Sequence, residues 1–193
     1  MTRYRVAESA DDPATYHRLR TAVYLETGLV TTADVDSTTG LYVDRYDDHS
    51  IHLLATNDDG LDVGCWRMVE SGPGRTLPVT DHFDIDVVPD SFESSGSAIV
   101  PAYRKSLVGL GFFRAMLAVS DDRGFDAAYG IVEQGYLDHA RAIGIPIDVL
   151  GGPRFVFNTD NVPVVVRRHE LMAVLGTVAE ALPHFVDFFL QPF

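Results

Sequence analysis

Between Ala98 and Gly111 the chain passes from an apolar stretch, Ala98-Ile99-Val100, through Pro101-Ala102-Tyr103-Arg104 to Gly109-Leu110-Gly111. A strand, an arginine-bearing turn and a glycine-bearing helix start suit the binding of a phosphate. A helix N-terminus offers unpaired N–H groups and a partial positive charge, and glycines let the anion approach the backbone. Gly109 and Gly111 stand several residues past Arg104, so close packing inside the helix is the competing role for them. Glu133, at the end of the apolar run Ala127 to Val132, is a carboxylate placed for proton transfer or, alternatively, for a favourable charge at the next helix N-terminus. His17, His49, His52, His169 and His184 show no paired spacing, and Cys65 is the only cysteine, so neither a metal site nor an internal disulfide is expected.

The elements that would position these groups follow from periodicity and turn chemistry. Residues 2–7 read as an edge strand, and Asp11-Asp12-Pro13 opens a helix that Gly28 closes. Residues 31–40, rich in Thr, Ser and Asp, form a loop. Strands over 50–56 and 61–69 flank the turn Asn57-Asp58-Asp59-Gly60. A long polar loop carrying His82 and Phe83 leads through Asp90 to a strand over 97–100. Leu107, Leu110, Phe113 and Leu117 recur at helical spacing over 107–123. A strand over 127–132, a helix over 136–143 stopped by Gly144, a strand over 147–150 or 154–157, another over 162–167 and a helix over 171–190 complete the chain. The order predicts a mixed α/β (α+β) fold with a central sheet flanked by helices. A single domain over 1–193 is expected, with 170–193 as a C-terminal helix that contacts a partner or covers a tunnel in the core.

Composition removes several function classes. A content of 46% hydrophobic residues over 193 supports one sizeable core. The net charge of −13, with Lys105 the one lysine, argues against nucleic-acid binding, which relies on clustered basic residues. No apolar run is long enough for a membrane span and no signal-peptide pattern follows the N-terminus, so a cytoplasmic protein is expected.

The segment Ala98 to Gly111 resembles the acyl-donor motif of the GCN5-related N-acyltransferases (GNAT), although Ser106 stands where the family usually has Arg or Gln. Flanking motifs resemble a subgroup, the acyl-homoserine-lactone synthases and long-chain N-acyl amino acid synthases. These motifs are Arg20 with Val23-Tyr24 and Glu26; Asp44-Arg45-Tyr46-Asp47 followed by His52-Leu53-Leu54-Ala55; Val63-Gly64-Cys65-Trp66-Arg67; and Phe83. The resemblance spans residues 20–150. It implies acyl-donor binding by Ile99, Val100, Arg104, Lys105, Gly109 and Gly111, and a charged cluster of Arg20, Asp44, Asp47 and Arg67 beside the acceptor, with Phe83 near it. An arginine between carboxylates can hold them bidentately and stay charged; the alternative makes the aspartates turn formers and Arg67 a solvated strand residue.

Two departures bear on catalysis. Ser94 and Ser97 stand where the synthases carry the Glu and Arg of their motif strand, with Glu93 displaced by one residue. Ala140 stands where many acetyltransferases carry a tyrosine acid. Glu93 or Glu133 is then the candidate base, with His139 or His82 behind them. The resemblance implies an N-acyltransferase that takes an acyl group from acyl-CoA or an acyl-carrier protein, as co-substrate and not as a bound cofactor, to a small amine such as an amino acid. The alternative is a catalytically silent protein of the same fold that binds an acyl ligand or a protein partner. Donor type, acyl length and a homodimer stay open.

Overall fold

The computed structural model describes residues 2–8 and 11–181. The elements are β1 (Arg3–Val6), α1 (Asp12–Thr27), β2 (Ser50–Thr56), β3 (Asp62–Glu70), α2 (Pro78–His82), β4 (Ser91–Ile99), α3 (Val108–Arg123), β5 (Ala127–Glu133), α4 (Gln134–Ala142), β6 (Asp148–Val149), β7 (Arg154–Val156), β8 (Thr159–Arg167) and α5 (Arg168–Ala181). Eight strands form one mixed sheet in the order β1-β2-β3-β4-β5-β8-β6, with β7 also pairing β8. The β4–β5 pair is parallel, from Ser91↔Ala127 to Glu93↔Tyr129, whereas β1–β2 and β5–β8 are antiparallel. This is a mixed α/β fold, the class expected from the order of elements. The chain divides into two compact units, residues 1–68 with 95–116 and residues 69–94 with 117–192.

In the first unit, α1 begins at Asp12 and carries Pro13 next, whose missing N–H is tolerated in a first turn. It ends at Gly28, whose φ of +72° lets the backbone N–H close onto Leu25 and Tyr24. Its inner face buries Tyr16 and Val23 with Leu54 of β2, Cys65 of β3 and Ala98 of β4. Gly64 lets the Phe112 ring of α3 lie against β3, since a Cβ there would come within 2.9 Å of it. Tyr4 packs edge-on against Phe112 at 5.2 Å.

In the second unit, Leu137 of α4 packs with Ile147, Val162 and Val164. Phe92 of β4 meets Phe125 at 5.4 Å, and α5 continues from β8 and buries Leu175.

Most sequence-derived elements lie within two residues of the observed ones; five differ. The strand expected over 97–100 begins at Ser91, because Ser91, Phe92 and Glu93 are buried despite their mixed polarity. The expected polar loop holds α2, a five-residue helix too short to show a period. Both alternatives near 147–157 are strands, β6 and β7. The strand expected over 162–167 begins at Thr159. The C-terminal helix starts at Arg168 and is described to Ala181; its expected continuation through Pro183, Phe185 and Leu190 lies outside the described residues.

Between the tie of Ser71 N–H to Ser91 and that of Val100 N–H to Val63, β3 runs eight residues and β4 nine. The extra residue makes a bulge in β4, and Gly96 marks it with a φ of +63°.

Candidate functional site

The first unit gathers Arg20, Asp44, Asp47 and Arg67 into one ion cluster. Arg20 grips Asp47 bidentately, Nη1 to Oδ1 at 3.0 Å and Nη2 to Oδ2 at 2.6 Å, and Nη2 also donates to the Tyr42 carbonyl at 3.1 Å. Arg67 Nη1 donates to Asp44 Oδ1 at 2.6 Å and to Asp47 Oδ1 at 2.7 Å, and its Nε reaches Ser95 Oγ at 3.3 Å. The aspartates also shape the turn that carries them. Asp47 Oδ2 accepts from Asp44 N–H at 2.9 Å and Asp44 Oδ1 from Tyr46 N–H at 3.0 Å. For the aspartates the two roles weighed from the sequence therefore coexist, whereas Arg67 is buried and not the solvated strand residue of the alternative. The Arg20 side chain is fully buried, Asp47 and Arg67 are each 4% exposed, and Asp44 is 19% exposed. Asp44 is the member of the cluster that faces outward.

Aromatic rings enclose the charges. The Arg20 guanidinium lies 5.1 Å from the Tyr16 ring and 4.9 Å from Tyr42, and Arg67 lies 5.6 Å from Tyr46. Tyr16 stacks on His52 at 4.1 Å. His52 Nε2 lies 3.3 Å from Asp47 Oδ1, and His17 Nδ1, without a hydrogen bond, lies 3.9 Å from Asp47 Oδ2. Burial alone would raise the Asp47 carboxyl, but hydrogen bonds from His52 and Arg20 and the two guanidinium charges hold it well below the usual carboxylate range. Burial lowers the His17 imidazole against the pull of Asp47. Burial pushes the Cys65 thiol up to about 12, which leaves it neutral and unsuited to nucleophilic work.

The arginine-bearing turn lies in the same unit. Pro101–Tyr103 is one turn of 3-10 helix. Tyr103 is fixed by Asn57, whose Nδ2 donates to the phenol at 2.9 Å while its Oδ1 caps the β2–β3 turn. Arg104 Nε donates to the Ile99 carbonyl at 3.1 Å, and its fork is paired with Glu26. Lys105 is exposed, and Ile99 and Val100 are half-buried at the end of β4. Gly109 and Gly111 are the second and fourth residues of α3. A Cβ on Gly111 would overlap the Tyr4 ring, which accounts for that glycine by packing, while one on Gly109 would reach Ile99 at 3.8 Å.

The remaining candidates lie in the second unit. Glu93 is 1% exposed, and its Oε2 accepts the Val79 N–H at the start of α2 at 2.6 Å. Phe83 is buried at the end of α2, with the Arg154 guanidinium 5.4 Å from its ring. Glu133 is exposed at the N-cap of α4. His82 packs on Phe157 at 5.0 Å, and His139 is exposed on α4. Tyr16, His17, Tyr42, His52, Ser95 and Gly96 join the ion cluster without having been singled out for it. Tyr16 stands one helical turn before Arg20, a spacing that could have pointed to it. The turn and strand partners depend on folding.

Residues 19–113 match the family model of the acetyltransferase (GNAT) domain, a span that contains the ion cluster and the arginine-bearing turn. No curated protein matches the sequence. Among solved structures, the chain is similar to the CoA-dependent acyl-homoserine lactone synthase BjaI, solved with SAM and isopentyl-CoA (22% identity, 93% of this chain and 89% of that chain, TM-score 0.71). It is also similar to the AHL synthase LasI (19%, 90% and 95%, 0.71) and to FeeM, an N-acyl amino acid synthase from uncultured soil microbes (10%, 90% and 94%, 0.68). At these identities the likenesses establish the fold. They agree with the resemblance read from the motifs.

Proposed function

We propose that the chain is an N-acyltransferase that moves an acyl group from a pantetheine thioester, acyl-CoA or acyl-carrier protein, to a small amine such as an amino acid. The observation that carries this reading is the ion cluster, which buries Arg20, Asp47 and Arg67 and leaves Asp44 outermost as a fixed carboxylate for an ammonium group. The matched GNAT domain and the neighbours BjaI and FeeM support the reaction class. In this reading Arg104 and Lys105 take the donor's phosphate, and the end of β4 at Ile99 and Val100 lies along the pantetheine arm. The amine nitrogen, once deprotonated, attacks the thioester carbonyl carbon; the C–S bond breaks and the thiol leaves with a proton. Of the two glutamates, Glu133 has the solvent access that proton exchange needs, and we assign it the base.

One observation favours the silent alternative: Glu93 is sealed against the Val79 N–H. Mass spectrometry and thermal shift separate the two readings. Transfer predicts stabilisation by acyl-CoA or acyl-carrier protein and release of an acyl-amine product. Stabilisation without product identifies a binding protein, and no shift with either donor contradicts both acyl readings.

A further inference from the structure

The fork of Arg104 is already filled. Its Nη1 approaches Glu26 Oε1 at 3.4 Å, its Nη2 donates to Glu26 Oε2, and its Nε is held by the Ile99 carbonyl. A guanidinium has two bidentate faces, side-on through Nε and end-on through its two Nη atoms. The Ile99 carbonyl holds Nε and Glu26 fills the end-on face, so a phosphate that takes that face must first displace the Glu26 carboxylate. Glu26 is not placed there by the needs of its helix. It lies in the last turn of α1, which has no basic residue and where a negative charge opposes the helix dipole. Both partners are well exposed, 38% for Arg104 and 47% for Glu26, so the pair is weak enough for a ligand to open.

We propose that Glu26 guards the donor site by competing with the donor's phosphate for Arg104; this rests on the assignment of Arg104 to the donor site. Exchanging a carboxylate for the singly charged phosphodiester of a carrier-bound arm swaps one charge for one. Exchanging it for the diphosphate of coenzyme A brings two charges to the same arginine. Either exchange breaks the same Arg104–Glu26 pair, so the competition weakens both donors by the same factor and leaves a donor fragment without phosphate untouched.

The test compares the wild-type protein with Glu26→Gln and Arg104→Ala, titrated calorimetrically with coenzyme A and with pantetheine, which has no phosphate. The expected result is coenzyme A binding about two- to five-fold tighter in Glu26→Gln, the worth of an exposed ion pair, with pantetheine affinity unchanged. A merely structural Glu26 would shift the melting temperature and leave coenzyme A affinity where it was. Unchanged coenzyme A affinity in Glu26→Gln together with a loss in Arg104→Ala overturns the competition and spares the donor site. Unchanged affinity in Arg104→Ala overturns the donor site and the competition with it.

Discussion

Arg67 holds both aspartates with a single nitrogen: its Nη1 lies 2.6 Å from Asp44 Oδ1 and 2.7 Å from Asp47 Oδ1. The two carboxylates repel each other and stay together because Arg67 and Arg20 neutralise them in a region shielded from water. Asp47 is the hub, since it touches both arginines and lies near both imidazoles.

Replacing that hub leaves two buried guanidinium groups facing one remaining carboxylate. Asp47→Asn is therefore expected to cost about 3–5 kcal/mol, the range for breaking a buried ion pair on one side. Urea denaturation at neutral pH measures it. A loss below about 1 kcal/mol would mean that the cluster relaxes without its centre.

The same cluster fixes the sign of a pH effect. Burial lowers the His17 imidazole, which faces Asp47, Arg20, His52 and the Tyr42 backbone, so the folded state binds fewer protons there than the unfolded state. Its contribution is complete above the unfolded value of about 6.5 and is lost as pH falls through the lower folded value. Stability should fall between pH 7 and pH 5.5 in the wild-type protein and fall less in His17→Gln. Parallel slopes would place the acid sensitivity elsewhere. Asp47, also lowered, acts in the same direction only below about pH 4.

The sequence showed the ends of this arrangement more clearly than its middle. Gly28, Asn57 to Gly60 and Gly144 announced their turns because each has a φ preference or side-chain bond that acts locally. Arg20, Asp44, Asp47 and Arg67 were readable as a set from motif order. Their enclosure by Tyr16, Tyr42 and His52 depends on packing between residues far apart in the chain. The first half of β4 stayed hidden because Ser91 and Glu93 are polar, and their burial comes from partners such as Ser71 Oγ and the Val79 N–H.

Gly96 ties the bulge of β4 to the cluster. Its φ is +63°, and a Cβ would fall 2.6 Å from the Tyr16 hydroxyl and 3.1 Å from Arg67 Cβ. Gly96→Ala should cost at least about 1–2 kcal/mol from backbone conformation alone, and more as Tyr16 and Arg67 are pushed aside. Thermal denaturation reads the loss; an unchanged melting temperature would refute the bulge.

Gly111 separates packing from phosphate binding. Because a Cβ there overlaps the Tyr4 ring, Gly111→Ala should lose about 1–3 kcal/mol through overpacking. Combining it with Tyr4→Leu should recover part of that loss. Weakened coenzyme A affinity at unchanged stability would instead assign Gly111 to the donor site.

The most direct test of the proposed chemistry is a transfer assay, with products detected by mass, on acyl-CoA and acyl-carrier donors of several chain lengths and a panel of amino acids. The wild-type protein should form an N-acyl amino acid. Asp44→Asn, which keeps the size of the side chain and removes its charge, should raise the acceptor KM at least about ten-fold, the loss of a charge-assisted contact of about 1.5–3 kcal/mol. No product from any pair in folded protein, or an unchanged acceptor KM in Asp44→Asn, would contradict the account.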